Sequence, residues 1–246
     1  DGIMVARGDL GVELPIEEVP MVQKRCVTLA RESAKPVIVA TQMLDSMISN
    51  SRPTRAEATD CANAVLDGAD ALMLSGETSV GDFPIETVQT MARIIEHTET
   101  VALDQISPLK HSPATKGGAI TKAATEVGAT VGAKYLVAFT QSGDSARRMS
   151  RLRSPIPMLA MTPDTGTFNR MALSWGVEPM LTAAVNHTDE MVMQVDTLLI
   201  ESKRVSIGDL VLIVAGSPPG IPGSINAMRV HKIGDAVGGA APAYRK

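Results

Sequence analysis

Three short apolar runs, Ile3–Ala6, Val37–Ala40 and Ala71–Leu74, begin 34 residues apart, twice over. Each run is continuous rather than alternating, the pattern of a parallel strand covered on both faces. Helical periodicity fills the intervals. Ile16–Ala34 begins beside Pro15 with the acidic pair Glu17 and Glu18, which suits the positive end of a helix. Thr54–Leu66 runs into Asp67 and Gly68, and the glycine supplies a stop. Pro84 opens a third helix reaching about Leu103, with proline in the first turn, where a backbone N–H has no intrahelical partner anyway. Strand and helix alternating at this spacing predict right-handed βα crossovers on one parallel sheet.

A parallel sheet brings all its strand ends to one edge. Arg7, Thr41 and Ser75 follow the three strands and head the segments RGDLG, TQMLDS and SGETSVGD, which read as three polar, turn-rich loops. That edge is the one on which a βα barrel carries its chemistry. Three units cannot close an eight-stranded barrel, which takes about 250 residues by itself. The chain opens DGIMVARGD inside an apolar run, without an initiator methionine, and so reads as a piece of a longer protein. An unpaired edge at Ile3–Ala6 predicts a tendency of the isolated chain to aggregate.

Residues 104–117 (DQISPLKHSPATKG) hold two prolines and mixed polar groups and read as a linker. A second α/β pattern follows. Helices are expected at 118–132, Ser145–Leu152, 164–174 and 189–204. Strands are expected at Tyr135–Phe139, Met158–Met161, 177–182 and Leu210–Ala215. After the loop GSPPGIPGS, Asn226–Ile233 reads as a last strand, pairing antiparallel. The predicted fold class is therefore α/β. A partial TIM (β/α)8 barrel of about three units occupies residues 1–105, and an open α/β domain with a mostly parallel sheet occupies 106–246.

Composition excludes several functions. Hydrophobic residues at 44% and charged residues at 20% are ordinary for a globular chain. The net charge of −4 gives no reason to expect nucleic acid or an anionic membrane as partner. No apolar run approaches the roughly 20 residues of a membrane span. Cys26 and Cys61 are the only cysteines and form no CxxC, which argues against a disulfide scaffold and a cysteine-rich zinc site. A cytoplasmic protein is expected. With aromatics at 2%, its core must be built from aliphatic residues and the 14 methionines.

Asp9 ends the first apolar run between Gly8 and Leu10-Gly11. A carboxylate there suits a hard cation with backbone close by, and equally suits a simple Asx turn. Thr41 and Ser75 place hydroxyls on the same rim, where each alone reads as a cap or loop residue. Glu77 and Asp82 read as solvated carboxylates. In the second half, TQSGDS (residues 140–145) sits between strand and helix. There Thr140, Gln141, Ser142, Gly143 and Ser145 make a phosphate-cradle pattern without the lysine of a P-loop. Arg147, Arg148, Arg151 and Arg153 stand nearby, some of them on a solvated helix face. His97, His111, His187 and His231 lack metal-ligand spacing. Cys26, Cys61, Trp175 and Met191–Met193 read as packing groups.

MVARGDLGVELP (4–15), ATQMLDSMI (40–48), RPTRAEATD (52–60) and MLSGETSVGDFP (73–84), in this order and spacing, resemble the pyruvate kinase family, and the likeness continues to NAMRVHKIG (226–234). The resemblance implies that Asp9 ligates a metal ion, and that Gly8 and Asp9 hold the phosphoenolpyruvate carboxylate through backbone N–H groups. It implies a substrate-site role for Thr41 and a place for Ser75 in the hydroxyl network that protonates the enolate. Arg55, with Arg7 beside it, resembles a subunit contact near the site. The implied ions are Mg²⁺ or Mn²⁺ and K⁺, the partners are phosphoenolpyruvate and ADP or ATP, and the complete protein is a homotetramer. The second domain is then regulatory, with an effector at Thr140, Gln141, Ser142, Gly143 and Ser145. Gln141 and Asp144 stand where some members carry basic residues, which favours AMP or a sugar monophosphate over a bisphosphate. The resemblance begins at the sixth barrel strand, so earlier ligands fall outside this sequence and the chain alone is expected not to turn over substrate. Two other functions compete: a non-catalytic effector-binding and assembly module, and another βα-barrel enzyme of enolate chemistry. The SGET block and the attached second domain argue against the latter.

Overall fold

Strand β1 (Ile3–Ala6) runs straight into helix α1 (Arg7–Glu13), followed by α2 (Val19–Glu32) and β2 (Val37–Ala40). Then come α3 (Arg55–Asp67), β3 (Ala71–Leu72), the single turn α4 (Gly76–Ser79) and α5 (Pro84–Ala102). The strands pair in parallel in the order β1-β2-β3, with Ile3 opposite Val37 and Ile38 opposite Ala71, so the repeat in the sequence is nearly the register of the sheet. This computed structural model describes residues 1–110, 113–217, 219, 221 and 223–236; His111 and part of the GSPPGIPGS loop lie outside them. The chain divides into two units, Asp1–His111 and Ser112–Lys246.

In the first unit Val5, Val27, Val37, Val39, Met43, Leu44, Met47, Cys61 and Ala64 form the core, with methionine filling the space that aromatics would otherwise take. Ile3 and Met4 are 41% and 52% exposed. β3 is shorter than the apolar run that predicted it, because only Met73 beyond it still donates to the Val39 carbonyl (2.9 Å) before the chain turns away.

All three expected loops are partly helical, SGETSVGD through the single turn α4. RGDLG is the start of α1, and TQMLDS runs into a 3₁₀ turn at Asp45–Ile48. Two glycines in seven residues disfavour a helix, but Leu10 turns inward onto the core and offsets that cost. The second helix starts at Val19 rather than Ile16, because Glu18 N–H closes a turn onto the Pro15 carbonyl (2.9 Å). α3 opens with a reciprocal cap: Thr54 Oγ1 accepts from Glu57 N–H, and the Glu57 carboxylate accepts from Thr54 N–H. It closes at Gly68, whose φ of +96° requires glycine.

Glu57 also ties α3 to the 3₁₀ turn, accepting from the Ser46 N–H (2.7 Å) and hydroxyl (2.5 Å). Burial alone would push its carboxyl up, but the hydrogen bonds from Ser46 and Thr54 outweigh burial and hold it below the ordinary range. A depressed carboxylate stabilises the fold at pH values above its unfolded value and loses that contribution as pH falls through its folded value. Stability is thus expected to decline below about pH 4.3, and Glu57→Gln to flatten that decline when urea midpoints are measured from pH 6 to pH 3.

The second unit runs α6 (Lys116–Val131), β4 (Tyr135–Phe139), α7 (Asp144–Ser150), β5 (Met158–Thr162) and α8 (Thr165–Met171). It continues through β6 (Val177–Leu181), α9 (Thr188–Glu201), β7 (Leu210–Gly216) and β8 (Ile225–Lys232). The sheet order is β6-β5-β4-β7-β8, parallel except for β8, which pairs antiparallel with β7. Leu136, Ala138, Met158, Ala160, Leu212 and Val214 pack on one face; Val137, Leu159, Met161, Val211 and Ile213 pack on the other. The continuous apolar runs are therefore strands covered on both sides.

His231 is not a stray histidine. Its Nε2 lies 2.7 Å from Asp196 Oδ1, both groups fully buried, and Asp196 Oδ2 accepts from the Gly234 (3.1 Å) and Ala236 (3.0 Å) N–H groups. One carboxylate thus fastens α9 to β8 and the chain beyond it. Of the Met191–Met193 stretch, Met191 and Val192 are buried, while Met193 is 42% exposed.

Candidate active site

The ends of β1, β2 and β3 carry the three predicted rim residues, and a side chain bonds two of these ends together. Arg7, the first residue of α1, reaches across to the chain leaving β2. Its Nη2 donates to the carbonyls of Thr41 (2.7 Å) and Gln42 (3.2 Å), its Nε also reaches Thr41 O (3.3 Å), and Nη1 pairs with Asp60 on α3. Those carbonyls belong to strained backbone. Thr41 and Gln42 have φ of +73° and +52°, a left-handed conformation costing roughly 1–2 kcal/mol per L-residue and rarest for a β-branched one. Consecutive strained residues persist only where the surroundings hold them, and they concentrate at functional sites. Arg7 provides the hold here.

The Thr41 hydroxyl accepts from Gly8 N–H (2.8 Å) and donates to the Ala40 carbonyl (2.7 Å). It thereby caps an N–H in the first turn of α1 that has no partner within the helix. The structure thus brings Gly8, Arg7 and Thr41 into one bonded group. Asp9, in the same turn, is exposed, as is Ser75 at the end of β3. Arg55 is exposed at the first position of α3, five residues before the Asp60 that Arg7 engages.

Glu77 departs from expectation. It is 2% exposed, accepting from Leu44 N–H (3.3 Å) and Ser75 N–H (2.8 Å), whereas Asp82 is exposed as expected. Nothing in SGETSVGD marks Glu77 as inward-facing, because the turn has no periodicity. Asp60 was also missed, although a signal existed: it directly precedes the buried Cys61 and stands four residues before the buried Ala64, at the margin of the inward face of α3. Cys61 itself donates weakly to the Met43 carbonyl (3.6 Å), and burial, with Asp60 adding to it, pushes its thiol up to about 12. That thiol is a packing group and not a nucleophile. Cys26 is half-buried on α2.

Among the described residues no three His, Cys, Asp or Glu side chains gather in a way that could hold a metal ion. Asp9 offers one exposed carboxylate, and Glu77 is committed to two backbone donors. Mg²⁺ requires a near-octahedral set of oxygen ligands, so the described residues do not by themselves build its site.

In the second unit a cavity of about 260 Å³ opens at the carboxyl ends of β4, β5 and β7, lined by Thr140, Gln141, Ser142, Asp144, Thr182 and Asn186 among others. Only part of the predicted cradle is open to a ligand. Thr140 Oγ1 accepts from Gly143 N–H (2.8 Å) and Ser145 Oγ donates to the Phe139 carbonyl (3.3 Å), both hydroxyls being buried. Gly143 has φ +82°, and a Cβ there would strike Met171 at 2.4 Å, so the turn requires glycine. Gln141 and Ser142 are exposed.

The arginines do not lie on a solvated face. Arg147 is half-buried and donates to Ser142 O (3.1 Å); burial first, then Arg170 and Arg148, lower its affinity for a proton against the pull of Asp144. Arg148 is bound to Asp144 (2.6 Å) and Thr115 (3.3 Å), and Arg151 is half-buried, its proton affinity lowered by burial and by Arg148. Arg153 is buried with its guanidinium 5.0 Å from the Trp175 ring centroid, a cation–π contact.

Comparison with known proteins identifies the family of the chain. The family profile "Pyruvate kinase, barrel domain" matches residues 1–88, and "Pyruvate kinase, alpha/beta domain" matches residues 118–231. A pyruvate kinase of Mycobacterium tuberculosis is 59% identical over 238 residues, covering 96% of this chain and 50% of that protein. One from Corynebacterium glutamicum is 54% identical over 235 residues, covering 96% and 49%. The crystal structure of a pyruvate kinase from Cryptosporidium parvum superposes with a TM-score of 0.85 at 36% identity, over 95% of this chain and 47% of that one. The fold and its rim define an α/β protein of the βα-barrel class, the barrel only partly present, with an open α/β domain attached. The chain belongs to the pyruvate kinase family. It spans about half the length of the curated relatives it matches. No helix among the described residues is long and apolar enough to cross a membrane.

Proposed function

We propose that the protein containing this chain transfers the phosphoryl group of phosphoenolpyruvate to ADP, forming ATP and an enolate that takes up a proton to give pyruvate, the last step of glycolysis. The observation that carries this reading is the group at the ends of β1 and β2, where Gly8, Thr41 and Arg7 are bonded together beside Asp9. Phosphoryl transfer asks little covalent chemistry of the protein and depends on positioning and charge neutralisation. The substrate carboxylate takes the Gly8 N–H from the Thr41 hydroxyl, because a charged acceptor makes the stronger bond. Thr41 then turns to substrate, and Ser75 belongs to the path that brings the proton. Mg²⁺ or Mn²⁺ and K⁺ are the ions of this reading; Asp9 provides one ligand, and the rest of the set is not supplied by the residues described here. Arg7 and Arg55 lie near a subunit contact, in an assembly of four copies in the cytoplasm. Nothing in the fold favours the non-catalytic reading. The test is pyruvate formation from phosphoenolpyruvate and ADP by the protein as its organism makes it, with and without Mg²⁺ and K⁺. Ion-dependent turnover is expected, and its absence would overturn the reading.

The cavity beside Gln141 and Ser142 is read as the effector site. Among the described residues the lining offers no cation, and its one charged side chain, Asp144, is paired with Arg148, so a ligand with a single phosphate and a neutral body fits better than a bisphosphate. AMP or glucose 6-phosphate at 100 times its dissociation constant is expected to stabilise the protein by about 2.7 kcal/mol, seen as a rise in melting temperature. A rise with fructose 1,6-bisphosphate and none with the monophosphates would reverse the assignment.

A further inference from the structure

Glu77 is a buried carboxylate that the reading above does not use. It sits on the single turn α4, 2% exposed, with Oε2 accepting from Ser75 N–H at 2.8 Å and Oε1 from Leu44 N–H at 3.3 Å. Those two donors belong to different rim segments, one leaving β3 and the other leaving β2. A buried carboxylate needs such donors, and each buried N–H equally needs its acceptor. The backbone on both sides is irregular. Ser75 has φ −124° and ψ −98°, outside the helix and strand regions, and Leu44 stands two residues after the left-handed pair Thr41–Gln42. The same two segments are joined again one turn further on, where Asp82 N–H donates to the Ile48 carbonyl (2.8 Å) and Ile48 packs against Gly76.

From this geometry we infer that Glu77 is a positioning residue: it locks the Ser75 turn to the Thr41 turn, so that the two hydroxyls keep one fixed relation on the rim. The inference rests on the proposed function of that rim. Glu77→Gln keeps the size of the side chain but turns an NH₂ towards one of the two donors, so one of the bonds is lost. A small displacement of a group near the chemistry costs up to about 100-fold in rate. The experiment is a double-mutant cycle between Glu77→Gln and Ser75→Ala in the protein as its organism makes it, with kcat, KM for ADP and melting temperature measured for each variant. The expected result is a 10- to 100-fold lower kcat for Glu77→Gln (on the scale of), unchanged KM for ADP, and a double variant no slower than Ser75→Ala alone. Glu77→Asp, which keeps the charge and withdraws it by one methylene, is expected to show the same non-additivity, and it is the variant to use if Glu77→Gln does not fold. Fully multiplicative effects on kcat, or a lowered melting temperature with unchanged kcat, would overturn the inference alone. Unchanged turnover in Ser75→Ala would overturn the rim reading, and this inference with it.

Discussion

Replacing Arg7 with alanine is expected to lower turnover about 100-fold and to destabilise the first unit by about 2–3 kcal/mol. Its guanidinium serves four acceptors at once: the Thr41 and Gln42 carbonyls, the Met43 sulfur and the Asp60 carboxylate. Without it, two carbonyls in strained backbone lose their charged donor and Asp60 loses its counter-ion. The Thr41 hydroxyl, which caps Gly8, then has no fixed place. Lysine should not rescue the loss, because one ammonium cannot reach along the fork that a planar guanidinium spans. Gln42→Gly in the Arg7→Ala background should restore part of it, since glycine accepts the φ of +52° without strain. Turnover and urea midpoints of Arg7→Ala, Arg7→Lys and the Arg7→Ala, Gln42→Gly double variant check this. An Arg7→Ala protein with wild-type turnover would show that the turn is held by something else.

Asp196→Ala is expected to be the most destabilising single change in the second unit, by about 3–5 kcal/mol, which corresponds to a fall of about 10–15 °C in melting temperature. The carboxylate is fully buried, and its loss strands three donors: the His231 ring and the Gly234 and Ala236 N–H groups. His231→Ala should cost less, because Asp196 keeps its two backbone donors. The two substitutions together should fall short of their sum, since they share one network. A loss of under about 1 kcal/mol for Asp196→Ala, on the scale of surface substitutions, would mean that water reaches the site and replaces the carboxylate.

The parts of this molecule legible in the sequence are those set by short-range pattern. Continuous apolar runs announced β1, β2, β4, β5 and β7, and Gly68 marked the end of α3. The antiparallel return of β8 was readable from the long glycine- and proline-rich loop before it. α1 was not readable, because Gly8 and Gly11 carry a loop signal that Leu10 overrides only through packing. Nor was the left-handed turn at Thr41, since a β-branched residue is the last one expected there. The contacts that shape the rim join residues far apart: Arg7 to Asp60, Leu44 to Glu77, Gly8 to Thr41. No local periodicity encodes such pairs. For the same reason nothing in the sequence marks Asp196, and His231 reads as one of four scattered histidines, although the fold brings the two together across 35 residues.

The central claim is that one rim, built from the ends of β1, β2 and β3, carries the chemistry. It is tested most directly by measuring pyruvate formation from phosphoenolpyruvate and ADP, with Mg²⁺ and K⁺, for Asp9→Ala, Thr41→Ala and Ser75→Ala side by side, each first shown to melt as the parent does. The account predicts that all three lose most of their turnover, Asp9→Ala the most. Three folded variants with parental turnover would place the chemistry elsewhere and contradict it.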